Sequence, residues 1–153
     1  PVAVREPDKR VARGGMLVGA CLAGSACIKG RGLVHAIARM VGAEYDTQHG
    51  LTNAIVLPVV LRYNLPGEEA KVVRMAQAMG LAEMTPQGFI AEIERRLDAI
   101  DIPTSLSKIG VPLDCAERIS HKALLDSAAA TNPKAADAQA VRTLIETAIT
   151  AAR

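Results

Sequence analysis

"GLVHAIARMVGAEYDTQHG", Gly32 to Gly50, carries two of the chain's three histidines, His35 and His49, among residues that are otherwise mostly aliphatic or small. From Leu33 to Val41 the apolar residues recur at helical spacing, and Gly42 is a natural place for that helix to stop. "AEYDTQHG" then reads as a connection, with Glu44 and Asp46 in solvent, and a further helix spans Leu51 to Tyr63. Pro58 lies inside that helix and is expected to bend it or remove one of its hydrogen bonds. The same spacing recurs outward in both directions. Val11 to Ile28 reads as a buried helix rich in Gly and Ala. Val72, Met75, Ala76 and Met79 share one face of a fourth helix.

Thr85-Pro86 has the form of an N-cap followed by proline at the first helical position, ahead of a stripe of Phe89, Ile90, Ile93, Leu97 and Ile100. "IPTSLSKIGVP" is a loop. Leu113, Ala116, Ile119, Ala123 and Leu124 mark another helix. Asn132-Pro133 repeats the cap-and-proline start before Val141, Leu144, Ile145, Ala148 and Ile149. Two-residue alternation and hairpin signals are absent. The expected fold is all-α, a bundle of about seven helices forming one domain over residues 1–153.

Composition narrows the function. Half of the 153 residues are hydrophobic, with one Phe, two Tyr and no Trp, so the core is aliphatic and suits close helix packing. The net charge of +2 offers no field for a phosphate backbone, and the few aromatics give bases nothing to stack on; nucleic acid is excluded as a partner. Cys21, Cys27 and Cys115 form no metal-binding pair and read as reduced thiols filling small apolar volumes in a cytoplasmic protein. "REPDKRVARGGMLVGACLAGSACIKG" has the outline of a signal peptide. Its apolar run continues into patterned helix, however, and reads as too short and too interrupted by glycine to cross a membrane.

On a helix, His35 and Arg39 are four apart and share a face, while His49 immediately precedes a helix with Asn53 four residues on. If the connection folds back, two imidazoles converge as a divalent transition metal would require. Two ligands do not complete such a site, and His121 belongs to a solvated segment. By spacing alone, a hydrogen-bonded core histidine and a turn histidine remain the plainer reading.

The order of residues adds more. "GRGLVHAIARMVGAEYDTQHGLTNAIVLPVVLRYN" resembles the segment that identifies iron-containing (group III) alcohol dehydrogenases. It holds Gly32-Leu33-Val34-His35, Gly42-Ala43, His49-Gly50, Asn53-Ala54, Leu57-Pro58 and Arg62-Tyr63-Asn64. "IDIPTSLSKIGVP" and "LLDSAAATNPKAAD" are similar to the family's later loop and tail, so the resemblance covers nearly the whole chain.

The resemblance implies the family's C-terminal helical domain, with His35 and His49 as two ligands of a catalytic divalent metal, iron or in some members zinc. It also implies NAD or NADP as hydride carrier and a small alcohol or aldehyde as substrate. The family's other two ligands, an Asp and a His four residues later, have no counterpart before His35, since Asp8 is followed at that distance by Ala12. Gly30-Arg31-Gly32 lacks the flanking strand of a dinucleotide fingerprint. The expectation is therefore half of a metal site, with the nucleotide-binding N-terminal domain missing and the chain alone inert. Exposed apolar surface would then favour a homo-oligomer.

Two departures stand out. The family commonly has histidine where this chain has Arg39, and often histidine after the Leu-Pro turn, where this chain has Val59. Arginine holds carboxylates through paired hydrogen bonds, so Arg39 is a candidate substrate-facing residue for anionic substrates, or else a solvent-reaching helix residue. A rival reading is a non-catalytic helical interaction module derived from the same fold.

Overall fold

In the computed structural model, residues 1–150 are described. They form eight α-helices joined by turns and short 3-10 segments, with no strand among them. In order these are α1 (Val2–Arg5), α2 (Arg10–Ala26), α3 (Gly32–Tyr45), α4 (His49–Asn64), α5 (Glu69–Ala78), α6 (Pro86–Asp98), α7 (Ala116–Leu125) and α8 (Ala138–Thr150). The seven longer ones correspond to the seven expected helices.

The main core lies among α3, α4, α7 and α8. Leu33, Ile37 and Val41 of α3 recur at four-residue spacing and meet Val56 and Val60 of α4, Ile119 of α7 and Val141 and Ile145 of α8, all nearly or fully removed from water. Burying each such side chain contributes about 1.5–3 kcal/mol. A smaller core joins Leu65, Val72 and Ala76 to Phe89 and Ile90 of α6. Thr85 caps α6 as expected, its hydroxyl oxygen accepting from the Gly88 amide at 3.1 Å, with Pro86 first in the helix. α4 runs unbroken through Pro58, which has no N–H to offer the Ala54 carbonyl one turn back.

Several expectations are corrected. α2 is not a core helix: none of its residues is buried, and Val11, Met16, Leu17, Val18 and Leu22 stand in solvent, as do Cys21 and Cys27. Its apolar residues mark a helix correctly, but composition does not say which neighbour covers it. Nor is the segment too short for a bilayer, since Arg10–Lys29 has 20 residues and contains an 18-residue stretch with a mean hydropathy of 1.5. α3 continues past Gly42 to Tyr45, and Glu44 is not a solvated loop residue. Its carboxylate accepts from Arg118 and, at 3.0 Å, from Lys122.

The last corrections concern α8 and α7. Asn132-Pro133 does not start α8, which begins at Ala138 with the Asp137 carboxylate accepting from the Ala140 amide at 2.7 Å. Leu113 lies in a 3-10 turn before α7 and is half exposed. Asn132 serves α3 instead: its side-chain oxygen accepts from the Leu33 amide at 3.1 Å, while the Thr131 hydroxyl oxygen accepts from the amides of Arg31 and Gly32. α3 has no capping side chain of its own at Arg31, so residues about a hundred positions later supply the cap. Gly30, at φ +112°, makes this approach possible, because a Cβ there would lie 2.3 Å from the Thr131 side chain.

Candidate functional site

The two histidines meet where α3 and α4 come together. His35 sits one turn into α3. His49 is the first residue of α4, set there by Asp46 in the left-handed region at φ 51° and by Gln48, whose side chain accepts from the Leu51 amide. Thr52 fixes the turn from inside, its hydroxyl bonding to Thr47 at 2.8 Å. The imidazole rings pack edge to face with centroids 4.5 Å apart. His121 lies elsewhere, exposed on α7, and Asp46 is exposed; neither joins the pair.

Each ring already has a hydrogen-bond partner one helical turn away. The Arg31 guanidinium lies 3.2 Å from His35 Nε2, and the Asn53 amide nitrogen lies 3.0 Å from His49 Nε2. Guanidinium and amide N–H groups only donate, so both Nε2 atoms accept, and the proton of each neutral ring sits on Nδ1. Burial first, then the charges of His49, Arg31 and Arg39, lower the His35 pKa below its ordinary value, against the opposing pull of Asp126. The neutral form of His35, whose Nε2 can accept from Arg31, is the favoured one.

This donor set fits a borderline divalent metal as far as it goes: two adjacent imidazoles whose Nε2 atoms are each held by a replaceable N–H group one turn along the same helix. Asn53 Oδ1 is buried without a partner, a polar atom left over beside the pair. No third His, Cys, Asp or Glu joins them among the described residues, so two ligands are the most these residues provide.

Arg39 lies one turn beyond His35 and pairs through Nη1 with Asp126 Oδ2 at 3.0 Å. The Asp126 side chain is only 5% exposed, whereas that of Arg39 is 47% exposed, so the guanidinium is anchored on one edge and open on the other. Asp126 is held in turn by the Ala128 amide at 2.8 Å. An open, largely apolar cavity of about 600 Å³ borders His35, walled by Ala23, Ala26, Val34 and Leu57 with Arg31 and Asn53. Sequence reading missed Arg31 and Asp126. The signal for Arg31 was its position four residues before His35, the same spacing that marked Arg39.

Fold and histidine pair together define a helical domain with a two-imidazole centre at the junction of consecutive helices. The chain belongs to the Fe-containing alcohol dehydrogenase family, matching the model of that family's C-terminal part over residues 1–149. It is 34% identical to the 1-propanol dehydrogenase PduQ of Salmonella typhimurium, over 95% of this chain and 43% of the relative. It is also 34% identical to the 1,3-propanediol dehydrogenase of Klebsiella pneumoniae, over 90% of this chain and 37% of that enzyme. The crystal structure of a putative alcohol dehydrogenase from Ralstonia eutropha superposes with a TM-score of 0.78 at 26% identity, covering 97% of this chain and 41% of that one. The chain thus spans less than half the length of these relatives.

Proposed function

We propose that this chain is the metal-holding helical half of an NAD(P)-dependent alcohol dehydrogenase that interconverts a small alcohol and its aldehyde in the cytoplasm. The observation that carries this reading is the pair of imidazoles 4.5 Å apart on consecutive helices of a domain from this family. His35 and His49 would bind iron or zinc through Nε2, and the remaining ligands and most of the nucleotide site would come from an N-terminal domain outside these 153 residues. The metal, when bound, polarises the substrate oxygen and stabilises negative charge on it.

The chain's own residues do the positioning. In the metal-free chain Asn53 and Arg31 donate to the two Nε2 atoms, holding the rings in place with the proton on Nδ1 until a metal displaces these donors. Ala23, Ala26, Val34 and Leu57 give the carbon chain an apolar wall to lie against. Arg39 would face the substrate with its open edge. Because the described residues supply two imidazoles and no further metal ligand, the chain alone is expected to be inert.

Substituting His35→Ala or His49→Ala in the enzyme containing this domain is expected to abolish both bound metal, read by elemental analysis, and hydride transfer. Full metal content with turnover near that of the parent in either variant would refute the assignment.

A further inference from the structure

Beside the histidines lies a second, open cleft of about 350 Å³, bordered by Lys29, Arg31, Arg39, Ser127 and Thr131. Three of these side chains are cationic and none is acidic. The balancing carboxylate nearby is Asp126, buried behind Arg39 and already held by Arg39 and the Ala128 amide. Lys29 is exposed and has no ion-pair partner among the described residues. Arg31 has its main-chain amide fixed by Thr131, and with Cys27 and Gly30 it lines both the basic cleft and the apolar cavity that His35 borders. The two spaces therefore adjoin, with Arg31 the charged residue of their common wall.

We infer that this basic cleft binds the carboxylate of the substrate, so that the enzyme's preferred alcohol is a short hydroxy acid. The inference rests on the dehydrogenase reading and adds the substrate class to it. A hydroxyl carbon placed at the histidine pair puts the far end of a short carbon chain past Arg31, against the open edge of Arg39 and the Lys29 ammonium. Arginine's planar fork matches a carboxylate with two parallel hydrogen bonds, and its anchorage on Asp126 means little freedom is lost on binding. A phosphate of the dinucleotide fits the position less well. The nicotinamide ribose separates the phosphates from the carbon that exchanges hydride, whereas Arg31 lies 3.2 Å from a histidine of the centre itself.

The test titrates the metal-free chain with 4-hydroxybutyrate, with 1,4-butanediol and with inorganic pyrophosphate, following the side-chain Nε–H resonances of Arg31 and Arg39. The hydroxy acid is expected to shift both resonances and to bind at least about tenfold more tightly than the diol. Arg39→Gln is expected to remove most of that difference. Because loss of Arg39 leaves Asp126 buried without its partner, Lys29→Gln serves as a second variant and should weaken the acid severalfold without touching the fold.

Equal binding of acid and diol overturns the inference. So does pyrophosphate binding more tightly than the hydroxy acid, which would reassign the cations to the dinucleotide. Zinc titration of the same sample separates the two readings. Zinc bound through His35 and His49 without acid discrimination sinks only the carboxylate cleft. Acid discrimination without zinc binding sinks only the metal centre.

Discussion

At the scale of the residue, the feature with most consequence is that both Nε2 lone pairs are occupied by N–H donors from one turn away. Any cation that takes His35 Nε2 must displace the Arg31 guanidinium and accept its charge as a neighbour. Arg31→Met removes both competitor and repulsion. It is expected to raise affinity for zinc severalfold, measured by calorimetry on the metal-free chain; unchanged or weaker binding would show that Arg31 does not compete. Asn53 plays the corresponding part on His49 without a charge, so its removal should matter less to affinity and more to how the ring lies in the metal-free chain.

Among helices and their ends, two long-range attachments hold the site's scaffold. Asn132 accepts from Leu33 at the start of α3 and exchanges hydrogen bonds with Asn64 at the end of α4. Asn132→Ala is expected to cost about 1–2 kcal/mol, read from urea denaturation, by leaving a helix start uncapped and a part-buried amide unpaired. Glu44 is the second attachment, bonded from α3 to Arg118 and Lys122 on α7, which lowers its pKa from 4.5 to about 2. Folded-state depression stabilises above the unfolded pKa, so this contribution is present at neutral pH and lost as pH falls from about 5 towards 2. Both partners are half exposed, so about 1 kcal/mol survives screening. Glu44→Gln should flatten the stability profile in that acid window, and an unchanged slope between pH 5 and 2 would refute this role.

Much of this scale was legible in the residues. The spacing of Val141, Leu144, Ile145, Ala148 and Ile149 reports a buried face that the structure reproduces in full, and Thr85-Pro86 starts its helix as written. The failures share one cause. Asn132-Pro133 has the local form of a helix start, but its donors lie about a hundred residues earlier, and no local pattern carries that information. Glu44 looks solvated for the same reason, since its partners are on another helix. At the centre, the meeting of His35 and His49 followed from the family's residue order more than from their spacing, which by itself left a core histidine and a turn histidine standing. Asp126 beneath Arg39 had no sequence signal at all.

For the molecule as a whole, the outstanding fact is α2, an apolar helix with no buried residue attached to a well-packed bundle. Apolar periodicity identified the helix, yet burial depends on a partner that the periodicity does not name. Leaving Met16, Leu17, Val18 and Leu22 in water disfavours the monomer, so the chain is expected to self-associate through α2. Leu17→Glu with Leu22→Glu should shift sedimentation velocity towards the monomer. Because neither side chain touches the core, the unfolding free energy should stay within about 0.5 kcal/mol. A monomeric parent chain, or a variant that still associates, would rule out α2 as the contact.

The cap that residues 131 and 132 place on α3 also sets a schedule for synthesis. Translation proceeds at roughly 5–20 residues per second, so the hundred residues between Gly32 and Asn132 take on the order of 5–20 s to appear. Throughout that interval the helix bearing His35 has been made, but its start has nothing to close it. His35 and His49 emerge within moments of each other, yet the start of the helix that carries His35 is closed only by residues made about a hundred positions later.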